Sequence, residues 1–409
     1  MASSNRILII GGGIGGLGLA QGLLKTNIPF RVFERESALN FRPQGYRVRI
    51  GPDGQEALQS LLAPALYARL VNSLPPNAPG FAPAAHLDAL TGEAQAKPGS
   101  GPPPSGLPGA QNTEQLNADR GVLRQVLMQG LENHVEFGKD FKDYAITPRG
   151  VIARFSDGSE EEGALLVAAD GIRSRIRKQF LPSFSLMDTE TRIIYGKTSL
   201  TLDLENTLNA SALNGLVLVK DASQEHALAL LLETMRFKDN EYRKDAPEDY
   251  IYWALMARKE RFLASTTEEE ILKLSSDQAA ELARTITATW DESFRPLFSA
   301  QSIAHTSILR VLSIKPEIAV WNSSPYVTLI GDAIHPMSPT AAAGATTALR
   351  DAAALVRCLS EHDINVEAAG EYEQQMRKYA GETVAKSGWG GKLLYGQWSF
   401  DDMEEVEED

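Results

Sequence analysis

Gly11-x-Gly13-x-x-Gly16 lies between the apolar run Ile7 to Ile10 and a stretch with Leu17, Ala20, Leu23 and Leu24 at helical spacing. Glu34 ends the next apolar segment, Phe30 to Phe33, 23 residues after Gly11. The chemistry this pattern serves is the holding of a pyrophosphate. One glycine makes the tight turn, one lets the backbone approach the phosphates and one allows close helix–strand packing, while the helix N-terminus offers unpaired N–H groups. Glu34 would accept hydrogen bonds from adenosine ribose hydroxyls and repel an extra phosphate there. A glycine turn without a ligand is the plainer alternative, and the full strand–turn–helix–strand context argues for a dinucleotide.

Further along, AADGIRSRIR (168–177) places Asp170-Gly171 after a strand pattern, with Ser174 and Arg177 behind it. Gly331-Asp332 closes the buried-strand run Tyr326 to Ile330, and His335-Pro336 and Ser338-Pro339 force an extended path to Gly344, Ala345 and Thr346, which open a long helix. Either aspartate also reads as an ordinary cap or turn residue. Arg35, Arg42 and Arg120 are basic candidates for a phosphate-bearing ligand, although a lone arginine is more commonly a surface residue. Arg47 and Arg49 share one face of the strand pattern GYRVRI, which either lines a cavity or meets solvent.

Together these motifs, in this order and covering nearly the whole chain, resemble the single-component FAD-dependent aromatic monooxygenases of the salicylate-hydroxylase and tetracycline-inactivating kind. The resemblance implies FAD as cofactor, NADH or NADPH as reductant and O2 as co-substrate. A small, aromatic or polyketide/alkaloid-like molecule would be hydroxylated or epoxidised through a flavin hydroperoxide. Gly11, Gly13, Gly16, Glu34, Arg35, Arg42, Arg120, Asp170, Gly171, Asp332, Pro339, Gly344, Ala345 and Thr346 then become cofactor-binding positions. Asp332 would meet the polyol between pyrophosphate and flavin, and the helix opening at Gly344 would face the pyrimidine end of the ring. Arg192, in TRIIYG, matches a strand where some fungal relatives place an arginine beside the substrate, and is the candidate catalytic residue, stabilising a developing negative charge; a solvent-facing arginine is the plainer alternative. This chain departs from the family pattern at Ala341 and Ala342, where glycine is common, and at Thr346, where an asparagine is usual.

The composition sets limits. The chain has 409 residues, 43% hydrophobic and 23% charged, with a single cysteine, Cys358, which suits a reducing, cytoplasmic setting. A net charge of −13 leaves no electrostatic footprint for nucleic acid. No apolar run reaches the length of a membrane span, so stable membrane insertion is not expected. The six histidines form no ligand-spaced cluster, so no metal is expected.

The fold class expected is α/β: a Rossmann-like FAD-binding domain carrying an inserted, mainly antiparallel β-sheet substrate domain. The boundaries are 1–180 for the first part, 181–305 for the insert, 306–400 for the second part with C-terminal helices, and 401–409 for a solvated acidic tail. Eleven Pro, Gly or Ser among the twelve residues 98–109 mark a flexible loop. Val151 to Phe155 and Ala164 to Ala168 read as strands flanking the Asp157-Gly158 turn. GWGGKLLYGQWSF (388–400) reads as a cap on the FAD domain rather than a membrane contact. The expected assembly is a monomer or homodimer. Two other functions fit the same scaffold, a flavoprotein that reduces or cyclises without inserting oxygen and a flavin-free binding protein of the GDP-dissociation-inhibitor kind.

Overall fold

The computed structural model describes residues 5–39, 47–76, 85–95, 115–263 and 267–406; the loop expected at 98–109 and Arg42 lie outside them. Ile7–Ile10 is buried at every position, as a strand covered on both faces must be. It is the middle strand of a five-stranded sheet ordered Val327–Leu329, Leu165–Ala168, Ile7–Ile10, Phe30–Glu34, Val135–Phe137, with every neighbouring pair parallel. Since all five strands run the same way, their carboxyl ends share one edge. The turns after Ile10, Glu34, Ala168 and Leu329 therefore meet there, although more than 300 residues separate the first from the last.

A second sheet is ordered Ser307–Ser313, Leu186–Ser199, Tyr250–Arg258, Leu228–Met235, Leu216–Asp221, Ala85–Asp88. Its pairs are antiparallel except the last, which is parallel. The insert is thus wider than 181–305, because edge backbone groups recruit strands from outside that span. Glu405–Val406 likewise pairs with Leu186 and Met187, and Met403 is buried, so part of the expected solvated tail is a strand.

Alternation along these strands separates two faces. Ile194, Leu230, Leu232, Trp253 and Leu255 point to a core closed by Trp290, Phe294 and Phe298 from the following helical region. Ile193, Tyr195, Tyr250, Tyr252 and Ala254 point the other way, onto the parallel-sheet domain. At Gly196 an added Cβ would sit 2.1 Å from the Trp253 ring, so the indole occupies the space a side chain would need.

The Asp157-Gly158 turn joins Gly150–Phe155 to Glu160–Gly163, while Leu165–Ala168 belongs to the parallel sheet. The polar run EEEG was not read as a strand because it is an edge with little to bury. The helix expected from Gly344 runs to His362. A second one, Val366–Tyr395, follows, its first turn capped by the Asn365 side chain, which accepts from the Glu367 and Ala368 N–H groups. Among the described residues no helix is long and apolar enough to cross a membrane.

Candidate functional site

At the carboxyl edge of the parallel sheet, Gly11 takes φ +111° and donates its N–H to Phe33 O at 2.8 Å. A Cβ on Gly11 would lie 2.2 Å from Ala169 O, and one on Gly16 would lie 2.0 Å from Gly11 O. The fold itself requires both glycines. Gly13 is different: its φ is −75°, ordinary for any residue, and a Cβ there would meet no protein atom within 4 Å. The space it leaves opens onto two cavities of about 440 and 450 Å³ that share Gly13, Arg120, Ala169 and Gly171. Both volumes suit a ligand site.

Glu34 stands in the first cavity, held by its own surroundings. Its Oε2 accepts from Gly12 N–H at 2.6 Å and its Oε1 from Glu36 N–H at 2.9 Å. A carboxylate has about four lone-pair sites, so acceptor capacity remains for a ligand. Arg35 and Asp170 line the same cavity. Asp170 Oδ1 is buried with no hydrogen-bond partner, and burial raises the pKa of its carboxyl.

The second cavity takes Gly16, Asp332, Pro339, Gly344 and Ala345 from the expected set. The Asp332 side chain opens onto the cavity while protein surrounds it, and among the described residues no hydrogen bond reaches its carboxylate. Burial pushes its pKa up against the pull of His335 and Arg120. The first N–H groups of the Gly344–His362 helix have no intrahelical acceptor, and a Cβ on Gly344 would meet nothing within 4 Å. Ala342, on the same wall, is left-handed at φ +47°, ψ +32°. This explains why glycine is common there; alanine holds the turn at about 1 kcal/mol of strain.

Comparison with known proteins shows which cofactor the chain's family binds. A family model described as an FAD-binding domain matches residues 111–380. The dual O-methyltransferase/FAD-dependent monooxygenase elcB of Phaeosphaeria nodorum is 35% identical over 446 residues, covering 98% of this chain and 47% of that protein. CTB3 of Cercospora beticola, described by the same dual activity, is 36% identical over 423 residues, covering 99% of this chain and 48% of that protein. The chain belongs to the FAD-binding-domain family that the family model describes. It spans about half the length of these curated relatives. Among solved structures, a candidate FAD-containing monooxygenase of Photorhabdus luminescens superposes with TM-score 0.76 at 28% identity, over 96% of this chain and 99% of that one. Klebsiella pneumoniae HpxO, solved with FAD and uric acid, shares the fold with TM-score 0.73 at 18% identity, over 96% of this chain and 89% of that one.

The residues present fit the flavin dinucleotide of this family. Two glycines leave room that neither backbone conformation nor protein packing uses, and Asp332 offers an open carboxylate deep in the joined cavities. Other family positions serve as supports. Ser174 caps the helix Arg175–Phe180, and the fully buried Arg177 donates to Ala333 O at 2.9 Å and Ile172 O at 2.8 Å, tying the 170 turn to the 331 turn. Thr346 is not on the cavity wall; its hydroxyl accepts from Gly51 N–H at 3.1 Å and docks the helix start on the strand Arg47–Ile50.

Arg192 requires correction. It is almost fully buried and forms two hydrogen bonds with Asp188, at 3.0 and 2.9 Å, and an ion pair with Glu268. It lies opposite Ala257, on the sheet face turned away from Ile193 and Tyr195, and lines neither cavity. Period-two alternation explains the error, since a strand motif one residue out of phase exchanges the faces.

Two site residues had been missed. Arg124 donates from Nη2 to Gly12 O at 3.0 Å and from Nη1 to Leu39 O at 2.8 Å, clamping the glycine turn from the first cavity. Burial and the nearby Arg120 lower its pKa. Its signal was its place one helical turn beyond Arg120. The other is Asp351, fully buried, which accepts from Gly331 N–H at 2.7 Å, His335 Nε2 at 2.6 Å and Tyr379 OH at 2.6 Å. It fixes the turn that presents Asp332.

Burial alone would lower the His335 pKa, but the charge and hydrogen bond of Asp351 outweigh it and the value is raised. A raised folded value stabilises the fold in full below the unfolded pKa of about 6.5 and loses that stabilisation as pH climbs through the folded value. The Tm gap between wild type and His335→Gln is therefore expected to narrow as pH rises above neutrality. Thermal melts across pH check this; a gap that widens contradicts a charged His335.

Proposed function

We propose that the chain is an FAD-dependent monooxygenase domain that consumes NADH or NADPH and O2, places one oxygen atom on a small aromatic or polyketide-like molecule and releases the other as water. The observation that carries this is the pair of joined cavities, one against the glycine turn and Glu34, the other between the Gly344 helix and the tyrosine-bearing face of the second sheet. Bound FAD supplies the electron transfer and oxygen activation.

The chain's own residues bind, orient and exclude water. Gly11, Gly13, Gly16 and Arg120 would hold the pyrophosphate, Glu34 and Arg35 the adenosine end, and Asp332 the linking polyol. Asp170 borders the first cavity and Gly171 both, and Pro339, Gly344 and Ala345 would lie against the ring, with Thr346 anchoring their helix. Arg42 remains a candidate from sequence alone. Tyr195, Tyr252, Leu309 and Met337 form the substrate side, with enough apolar surface to displace water around an aromatic ring.

Purified protein is expected to be yellow and to oxidise NADH or NADPH faster when an accepted phenolic substrate is added. With labelled dioxygen, mass spectrometry should find one labelled atom in the product. A colourless protein that cannot be reconstituted with FAD, or a product without label, sinks the reading.

A further inference from the structure

Arg47 and Arg49, from the strand Arg47–Ile50, both line the second cavity, and both turn toward a single carboxylate, Glu233. Glu233 lies opposite Tyr252 in the second sheet. Arg49 Nη2 bonds to Glu233 Oε1 at 2.7 Å, and Arg47 Nη2 makes an ion pair with Glu233 Oε2. All three side chains are at most 4% exposed. The Arg47 Nε donor has no hydrogen-bond partner among the described residues, and the guanidinium carbon lies 5.5 Å from the Tyr252 ring centre.

The nearby charges do not repair the imbalance. Asp119, opposite Arg47 across the strand pair, caps a helix with Oδ1 and spends Oδ2 on Lys197 at 2.9 Å and Tyr250 at 2.8 Å. On the opposite wall Arg120 and Asp332 offset each other. Among the described residues, two guanidinium groups, Arg47 and Arg49, thus face the one carboxylate of Glu233 at this wall. Burial, followed by repulsion from Arg47, lowers the Arg49 pKa despite Glu233. Water filling the cavity can hydrate these groups, but a reacting substrate must displace that water.

We infer that Arg47, supported by Arg49 and Glu233, is a specificity-determining residue that selects substrates carrying an ionised acidic oxygen, a carboxylate or an enolate, which enters as counter-ion to the surplus guanidinium. This rests on the second cavity being the oxidation site. Glu233 holds the two arginines in register and leaves one of them available to the substrate.

Binding to oxidised holoprotein by calorimetry tests the inference without turnover. The probes are two matched pairs: 2-naphthoate with 2-naphthamide, and ionised 2-hydroxy-1,4-naphthoquinone with its neutral methyl ether. At least one anion is expected to bind about tenfold or more tightly than its neutral partner. Which pair discriminates identifies carboxylate or enolate as the preferred source. Arg47→Met should abolish the preference while changing the neutral probe's affinity by no more than about twofold. Glu233→Gln is the second variant, should Arg47→Met not fold; freeing Arg47 should strengthen the anions alone. The inference is overturned if no probe binds, if neither pair discriminates, if the preference survives Arg47→Met, or if Glu233→Gln leaves anion binding unchanged or weaker. Absence of labelled oxygen in a product would defeat the monooxygenase reading yet leave charge selection intact, so the two failures are distinguishable.

Discussion

Gly16→Ala should leave a protein with almost no bound flavin and a Tm several degrees lower. The added methyl would stand 2.0 Å from Gly11 O, a backbone oxygen that cannot rotate away as a side chain can. Relief requires the helix Ile14–Lys25 to move off the strand Ile7–Ile10, at about 3 kcal/mol, the upper end for overpacking. That movement carries the helix N-terminus away from the pyrophosphate site. Gly13→Ala is the internal control: its Cβ meets no protein atom, so stability should hold while FAD affinity falls. Melting curves and FAD titration of the two variants check the contrast. Equal destabilisation of both would show that the space beside Gly13 is not reserved for a ligand.

Asp332→Ala should weaken FAD by roughly tenfold to a hundredfold, from about 1.5–3 kcal/mol for hydrogen bonds to a charged acceptor. The carboxylate has no protein hydrogen bond to lose among the described residues, so thermal stability of the apoprotein should change little. Because burial raises the Asp332 pKa, and ligand hydroxyls favour its ionised form, wild-type FAD affinity should fall as pH drops through that raised value. Asp332→Ala should lack this dependence. Fluorescence titration of FAD across pH provides the measurement, and an unchanged Kd at neutral pH would remove Asp332 from the binding site.

The supports of the site were harder to read than the site itself. Asp332 and Glu34 stand at strand ends beside glycine turns, a local pattern that spacing reveals. Asp351 lies mid-helix, and only packing shows that its carboxylate gathers Gly331, His335 and Tyr379. The helix Val366–Tyr395 was obscured for a related reason. Glycines at 370, 381, 388, 390 and 391 each weaken a helix by about 1 kcal/mol in isolation. Yet a Cβ on Gly381 would lie 2.5 Å from Pro316 O and one on Gly388 2.4 Å from Phe400, so these positions serve contacts made far from their own turn.

From sequence alone, this protein's βαβ unit, its glycine turn and its acidic strand ends were legible, because each depends on residues within one supersecondary element, and its FAD-binding family was legible from several such motifs in order along the chain. The tertiary structure decided which face of a strand meets the cavity. It placed Arg192 in a buried ion network with Asp188 and Glu268, and brought Arg47 and Arg49 to the cavity wall around Glu233. Alternation says that neighbouring strand residues face opposite ways, but which way is set by the partner sheet's register and by what packs behind it.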